Sequence, residues 1–261
     1  MNNKNIYVYV FSGTGNTLIV ANKIAENFNN NSYNAVVHKM ESIKPQDVIL
    51  TGTIGVGFTT AFWNTYSFVR DWINNLPNGN GAELFLFTTM GDSSCGMIAH
   101  IAKILEKKNY KVIGAKGFIM PNNFLLVRGE NSNKKRIEKT LLQVEEYVKG
   151  IINGNGYIRK PNIFSSIAFV CSSFVTTKLW NTKLAKKIMK FKTNKNKCNK
   201  CGICASLCPL ENIEIKDVVQ FKDKCIFCLR CVSYCPQQAL SNKILLKTYR
   251  ALNIGEMKWK K

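Results

Sequence analysis

The chain has 261 residues and 46% hydrophobic content, enough for one large or two ordinary domains with buried cores. Its 37 basic and 16 acidic side chains give a net charge of +21, and the excess is concentrated late: residues 1–150 carry 16 basic and 11 acidic groups, residues 151–261 carry 21 and 5. That balance suits acidic partners and attracts polyanions non-specifically. Nothing in the chain looks secreted, which argues against a disulfide framework for its ten cysteines.

Residues 1–5 are polar, and the apolar run at 6–11 is too short for a signal-peptide core, so a cytoplasmic protein is expected. The run is rich in β-branched and aromatic residues and reads as a buried parallel strand. Directly after it come Ser12, Gly13, Thr14, Gly15, Asn16 and Thr17, then a helical pattern with Leu18, Ala21, Ile24, Ala25 and Phe28 on one face. Strand, Gly/Ser/Thr loop and helix make an anion site, because free backbone N–H groups and the helix dipole point at a phosphate. The loop lacks the lysine of a nucleotide-triphosphate loop and the third glycine of a dinucleotide fingerprint. A capped helix start after a strand is the plainer alternative.

Further strands are expected at 34–39, 48–56, 84–89 and 110–120, with helices at 63–76 and 97–108. Five strands alternating with helices predict an α/β fold with a doubly wound, five-stranded parallel sheet, its ligand at the carboxyl ends of the strands. The loop at 120–124 leaves the fifth strand at that end and is expected to form part of a seam with the C-terminal region. A helix is expected over 132–150, and 150–161 reads as a linker. Cys95 reads as a small buried residue at a helix start, and His38 and His100 receive no role.

The loop carries a resemblance. Residues 12–17, placed after the first strand, are similar to the FMN-phosphate loop of flavodoxins; Ala21 and Ile24 also match that pattern, while Val10 departs from its usual aromatic. The resemblance implies FMN, with its ring flanked by the loops after the third and fourth strands. The candidates there are Gly57, Phe58, Phe62 and Trp63 in the first loop and Thr89, Gly91 and Asp92 in the second. Core packing is an equal alternative for each aromatic.

Residues 161–177 carry no charge and seven polar side chains, too polar and slightly short for a membrane span. Apolar pairs recur there at helical spacing, so the segment reads as an amphipathic packing helix with Cys171 on its buried face. Nine lysines and no acid follow between 178 and 200; Lys183, Lys186, Lys187 and Lys190 share one helical face beside Trp180, Leu184, Ile188 and Phe191. A solvated basic helix is the default reading, a docking face for an acidic redox protein the next, and peripheral contact with anionic lipid the third.

The densest signal comes last. Cys198, Cys201, Cys204 and Cys208, followed by Pro209, recur 27 positions on as Cys225, Cys228, Cys231 and Cys235, followed by Pro236. Zinc sites use pairs of Cys-x-x-Cys across a longer loop, which leaves a third cysteine at the same interval surplus. The run resembles bacterial ferredoxins with two 4Fe–4S clusters, in which the fourth cysteine of each run ligates the cluster of the other half. The resemblance implies ligand sets Cys198, Cys201, Cys204, Cys235 and Cys225, Cys228, Cys231, Cys208.

Together the two motifs are similar to a family from anaerobic microbes that fuses a flavodoxin-like domain to a bacterial-type ferredoxin. The domains implied are a flavodoxin-like FMN domain at 1–150, a helical linker at 151–192 and a small α+β ferredoxin domain with a basic tail at 193–261. The resemblance implies an electron carrier that relays electrons between FMN, two clusters and an acidic redox partner. An FMN-dependent reductase of a quinone or nitro compound is the alternative. Without a helix-turn-helix or interleaved aromatic and basic residues, nucleic acid is not an expected partner.

Overall fold

The computed structural model describes residues 4–94, 96–123, 127, 129–158, 160, 163–179, 182 and 187–242. Strands β1 (Asn5–Val10), β2 (Asn34–Lys39), β3 (Thr53–Thr59), β4 (Glu83–Met90) and β5 (Lys111–Ile119) form one parallel sheet in the order β2-β1-β3-β4-β5. That is the flavodoxin-like doubly wound order, whose switch point lies between β1 and β3. Helices α1 (Asn16–Asn30) and α4 (Glu130–Ile152) cover one face, and α2 (Ser67–Asn74) and α3 (Met97–Lys107) the other.

Each face has its own core layer. Val8, Leu18, Ile24, Phe85, Phe118 and Val144 pack in the first; Val56, Phe58, Trp72, Leu86 and Ile101 pack in the second. Such two-sided burial is why the strands read as continuous apolar runs. Gly57 is the smallest residue its place allows, since a Cβ there would lie 2.1 Å from Phe87 Cζ.

Three boundaries depart from the sequence expectation. The third strand begins at Thr53, since residues 48–52 run as an irregular approach that ends in a bend at 51–52. The following helix begins at Ser67 instead of 63: Phe62 and Trp63 sit at φ 51° and 60°, the left-handed region, and Ala61 and Asn64 close a tight turn around them. The expected linker is also part of the sheet domain. Helix α4 runs through Gly150, and the chain then returns so that Tyr157 O accepts the Ala115 N–H at 2.7 Å, covering the outer edge of β5.

Helix α5 (Ile163–Leu179) lies beside α3, and its orientation overturns the expectation. The serine side faces the protein and the apolar side faces out. Asn64 Nδ2 donates to Ser173 Oγ at 3.0 Å and to Thr176 Oγ1 at 3.1 Å, the His100 ring stacks on Phe169 at 4.7 Å, and Ser172 is buried. Cys171, expected to be buried, is exposed. No helix among the described residues is long and apolar enough to cross a membrane.

The C-terminal region is built on the sequence repeat. One-turn helices at Ile203–Ser206 and Arg230–Ser233 stand 27 positions apart, and so do the left-handed pairs Lys200 and Phe227, Gly202 and Leu229, and Glu211 and Gln238. Two antiparallel ribbons complete it: β6 (Lys192–Thr193) with β9 (Leu240–Ser241), and β7 (Ile213–Ile215) with β8 (Val219–Phe221). Most of the expected lysine helix, the tail from 243 onward and Cys95 lie outside the described residues.

Candidate functional site

The loop after β1 is buried over all six residues from Ser12 to Thr17. Its entry conformation follows from sequence: Gly15 takes φ 104° as the residue before α1, a left-handed geometry that glycine adopts without strain. Side chains brace the loop. Leu18 N donates to Ser12 Oγ at 3.3 Å, Asn16 Nδ2 to Pro121 O at 2.8 Å, and Asn123 Nδ2 to Thr14 Oγ1 at 3.0 Å. Thr17 Oγ1 bonds Thr59 Oγ1 and Thr89 Oγ1 at 2.9 and 2.7 Å, which ties the ends of β3 and β4 to the loop. Among the described residues, by contrast, no acceptor meets the backbone N–H groups of residues 12–17. Buried N–H groups are costly to leave unpaired, so a ring of them at a helix start fits an anion's oxygens.

The eight repeat cysteines gather into two pockets. One is lined by Cys198, Cys201, Cys204 and Cys235. The other is lined by Cys208, Cys225, Cys228 and Cys231. Each therefore takes three cysteines from one run and the fourth from the other. The repeat extends to the sulfur hydrogen bonds, since Asn212 N donates to Cys208 Sγ and Ala239 N to Cys235 Sγ, both at 3.3 Å. Burial raises the thiols of Cys204, Cys225 and Cys231 above their usual value and pushes Cys228 up to about 12. These groups stay protonated on their own, and a bound cation is what would make them thiolates. No three His, Cys, Asp or Glu side chains among the described residues converge as the ligands of a single ion.

The second pocket is joined to the loop. The Cys228 carbonyl faces Gly13 so closely that a Cβ there would lie 2.6 Å from its oxygen. Two residues on, Arg230 is 1% exposed: its Nε donates to Ser12 O at 2.8 Å, its Nη1 donates to Leu207 O at 3.2 Å and to the Glu41 carboxylate, and its guanidinium lies 5.1 Å from the Phe11 ring centroid. Among the described residues Arg230 Nη2 has no partner, which leaves a further buried donor at this seam. Cys228 packs into the second core layer and Tyr234 into the first, so the C-terminal region caps the end of β1 from both sides.

Residues 190–242 match the family model of the 4Fe–4S dicluster domain. The chain joins a flavodoxin-like fold to a 4Fe–4S dicluster domain. No curated protein matches it. Solved structures resemble the sheet domain at low identity. A flavodoxin from the domain Archaea is 18% identical over 56% of this chain and 99% of its own, with TM-score 0.42. Megasphaera elsdenii flavodoxin is 19% identical over 53% and 98%, with TM-score 0.39. Rubredoxin oxygen:oxidoreductase from Desulfovibrio gigas is 13% identical over 57% and 37%, with TM-score 0.41. The flavodoxin-like assignment stands on the strand order.

The remaining sequence candidates separate. Thr89 joins the loop after β1 through Thr17. Gly57 and Phe58 lie inside β3, where Gly57 makes room for Phe87 and the Phe58 ring belongs to the core, the packing role that alternation in a doubly covered strand imposes. Trp63 is 56% exposed in the turn, and Phe62 is 49% exposed beside it. Gly91 meets the Asn122 side chain, and Asp92 is exposed. The loop at 120–124 packs on the flavodoxin-like loop through Pro121 and Asn123, and Phe124 lies outside the described residues. Sequence reading missed Arg230 and Glu41. A single arginine inside a lysine-rich, cysteine-spaced run gave a faint signal for the first, and nothing marked the second.

Proposed function

We propose that this is an electron-transfer iron–sulfur flavoprotein, with FMN phosphate held by the loop Ser12–Gly13–Thr14–Gly15–Asn16–Thr17 and with two 4Fe–4S clusters. The ligands are Cys198, Cys201, Cys204 and Cys235 for one cluster, and Cys225, Cys228, Cys231 and Cys208 for the other. The observation that carries the reading is the crosswise gathering of the eight cysteines into two four-cysteine pockets, one of which rests through Cys228 on Gly13 of the loop. When bound, a flavin exchanges one or two electrons and each cluster exchanges one.

The chain's own residues do the rest. Unpaired N–H groups of the loop and the start of α1 hold a dianion without a lysine. N–H donors at Cys208 and Cys235 Sγ stabilise charge on sulfur and so raise the cluster potential. Arg230 locks the second pocket onto the loop, which fixes the path between the two sites. Excess positive charge across 151–261 steers an acidic redox protein to the cluster side. Iron, sulfide and flavin analysis after oxygen-free purification tests the core of the reading, with about eight irons per FMN expected from two four-iron clusters. Four irons, or no flavin, overturns it.

A second reading, a reductase of a small acceptor, is favoured by one pocket of about 250 Å³, where Phe62, Tyr66, Phe191 and Phe221 surround a space bounded by Arg70, Lys224 and Cys225. Turnover of a quinone or nitro compound by the reduced protein distinguishes it from a pure carrier.

A further inference from the structure

Among the described residues, the exposed side of α5 carries a run of large apolar side chains. Ile163, Phe164, Ile167, Val170, Phe174 and Val175 are 45–84% exposed, and Cys171 between them is exposed as well. Their spacing of one, three or four places them along a single helical stripe, and no charged residue falls anywhere between 161 and 177. The helix cannot roll to bury that stripe without giving up its inner contacts. Asn64 holds Ser173 and Thr176, His100 holds Phe169 by ring stacking, and Ser165 lies over Gly96. A polar inner side that is hydrogen-bonded and an apolar outer side that is largely exposed is the reverse of a packing helix.

The same helix runs directly into the most basic part of the chain. Nine lysines and no acidic residue occur from 178 to 200, and Lys187, Lys190 and Lys192 are exposed among the described residues. An uncharged apolar stripe beside a lysine cluster is the composition of a helix that lies in a membrane interface, apolar side chains among the acyl chains and lysines among anionic headgroups. An acidic protein surface would answer the lysines and leave the apolar stripe in water.

We infer that α5, with Lys187, Lys190 and Lys192 after it, forms a monotopic docking surface for an anionic lipid bilayer. The helix lies parallel to the membrane plane with Ile163, Phe164, Ile167, Val170, Phe174 and Val175 immersed. This surface is independent of the cofactor assignment, because neither the stripe nor Lys187, Lys190 and Lys192 line the cysteine pockets or belong to the loop after β1.

Co-sedimentation of the full-length, cofactor-loaded protein with vesicles tests it. Phosphatidylglycerol–phosphatidylcholine vesicles are expected to pull the protein down, phosphatidylcholine vesicles to bind it much less, and added salt to weaken the anionic binding. The double variant Ile167→Glu/Phe174→Glu, placed on exposed positions, should lose at least about tenfold in vesicle partition while keeping its iron content and visible spectrum. Amide exchange over 163–179 should slow on vesicle addition in the parent and not in the variant. Equal binding of parent and variant, or absence of binding to anionic vesicles, overturns the inference. So does a concentration-dependent dimer that the same substitutions abolish, or an acidic protein that protects α5 where vesicles do not.

Discussion

Arg230→Met removes the charge that joins the dicluster domain to the loop after β1 while keeping much of the side chain's length. Arg230 is 1% exposed and its partner Glu41 4%, so the substitution leaves a carboxylate buried opposite a thioether. Breaking a buried pair by deleting one partner costs about 3–5 kcal/mol. Two terms modify that figure in opposite directions. Lys39 remains 3.6 Å from Glu41 and supplies a second, more exposed cation, which favours the lower end. Ser12 O and Leu207 O lose their donors, at about 1 kcal/mol each, which favours the upper. The net stays at about 3–5 kcal/mol, a shift of about 150- to 5,000-fold in the opening equilibrium of the seam. Global melting is a poor reporter in a chain that binds cofactors, so the measurement is native-state hydrogen exchange at the Ser233 and Tyr234 amides, which donate to Leu229 O and Arg230 O inside the one-turn helix. A double-mutant cycle with Glu41→Gln isolates the pair. Exchange in Arg230→Met indistinguishable from the parent, or a coupling energy near zero, refutes the claim that this pair fastens the two parts together.

If the proposed clusters are bound as inferred, Cys208→Ser should alter the electron paramagnetic resonance signal of the one at Cys225, Cys228 and Cys231 and leave the other unchanged; the reverse pattern, or an effect on both alike, contradicts the crossed ligation. Gly13→Ala places a Cβ 2.6 Å from the Cys228 carbonyl and should destabilise the seam by about 1–3 kcal/mol, read as faster proteolysis within 193–242. In the cofactor-free protein, burial raises the Cys228 thiol from 9.0 to about 12, so the folded state holds its proton more tightly than the unfolded one. That contribution to stability is complete below the unfolded value near 9 and is lost as pH climbs toward 12, so the denaturant midpoint of the cofactor-free protein should fall over that window, and by less in Cys228→Ala. An equal fall in both proteins would mean that the thiol is solvated.

The sheet order was readable because buried parallel strands and their covering helices leave strong periodic patterns, and the C-terminal architecture because a 27-residue repeat constrains backbone as well as ligands. Lys200 and Phe227, or Gly202 and Leu229, share left-handed dihedrals despite having different side chains. Leu229 bears the cost of that geometry, about 1–2 kcal/mol for a residue with a Cβ, where its counterpart Gly202 does not. The turn at Phe62 and Trp63 was not readable, since two aromatics in a helical-looking pattern give no hint of positive φ. Nor was the return of 153–158 onto β5, where Gly156 comes so near the Ile113 carbonyl that a Cβ would lie 1.9 Å from its oxygen.

The reversal of α5 has a sharper lesson. An amphipathic stripe states that one side of a helix is apolar; it does not state that this side faces the protein. The direction was decided by residues far away in sequence, Asn64 and His100, which offer a hydrogen-bond donor and a ring to Ser173, Thr176 and Phe169. A similar separation hides the seam. Ser12, Glu41 and Arg230 come from three distant stretches, and each is unremarkable alone. A buried guanidinium requires acceptors and a counter-charge. Once Arg230 is carried by the cysteine repeat to the end of β1, a carboxylate in the turn after β2 becomes the partner that makes burial there tolerable. Local pattern thus set the elements, while the site arose where long-range polar groups had no other way to be satisfied.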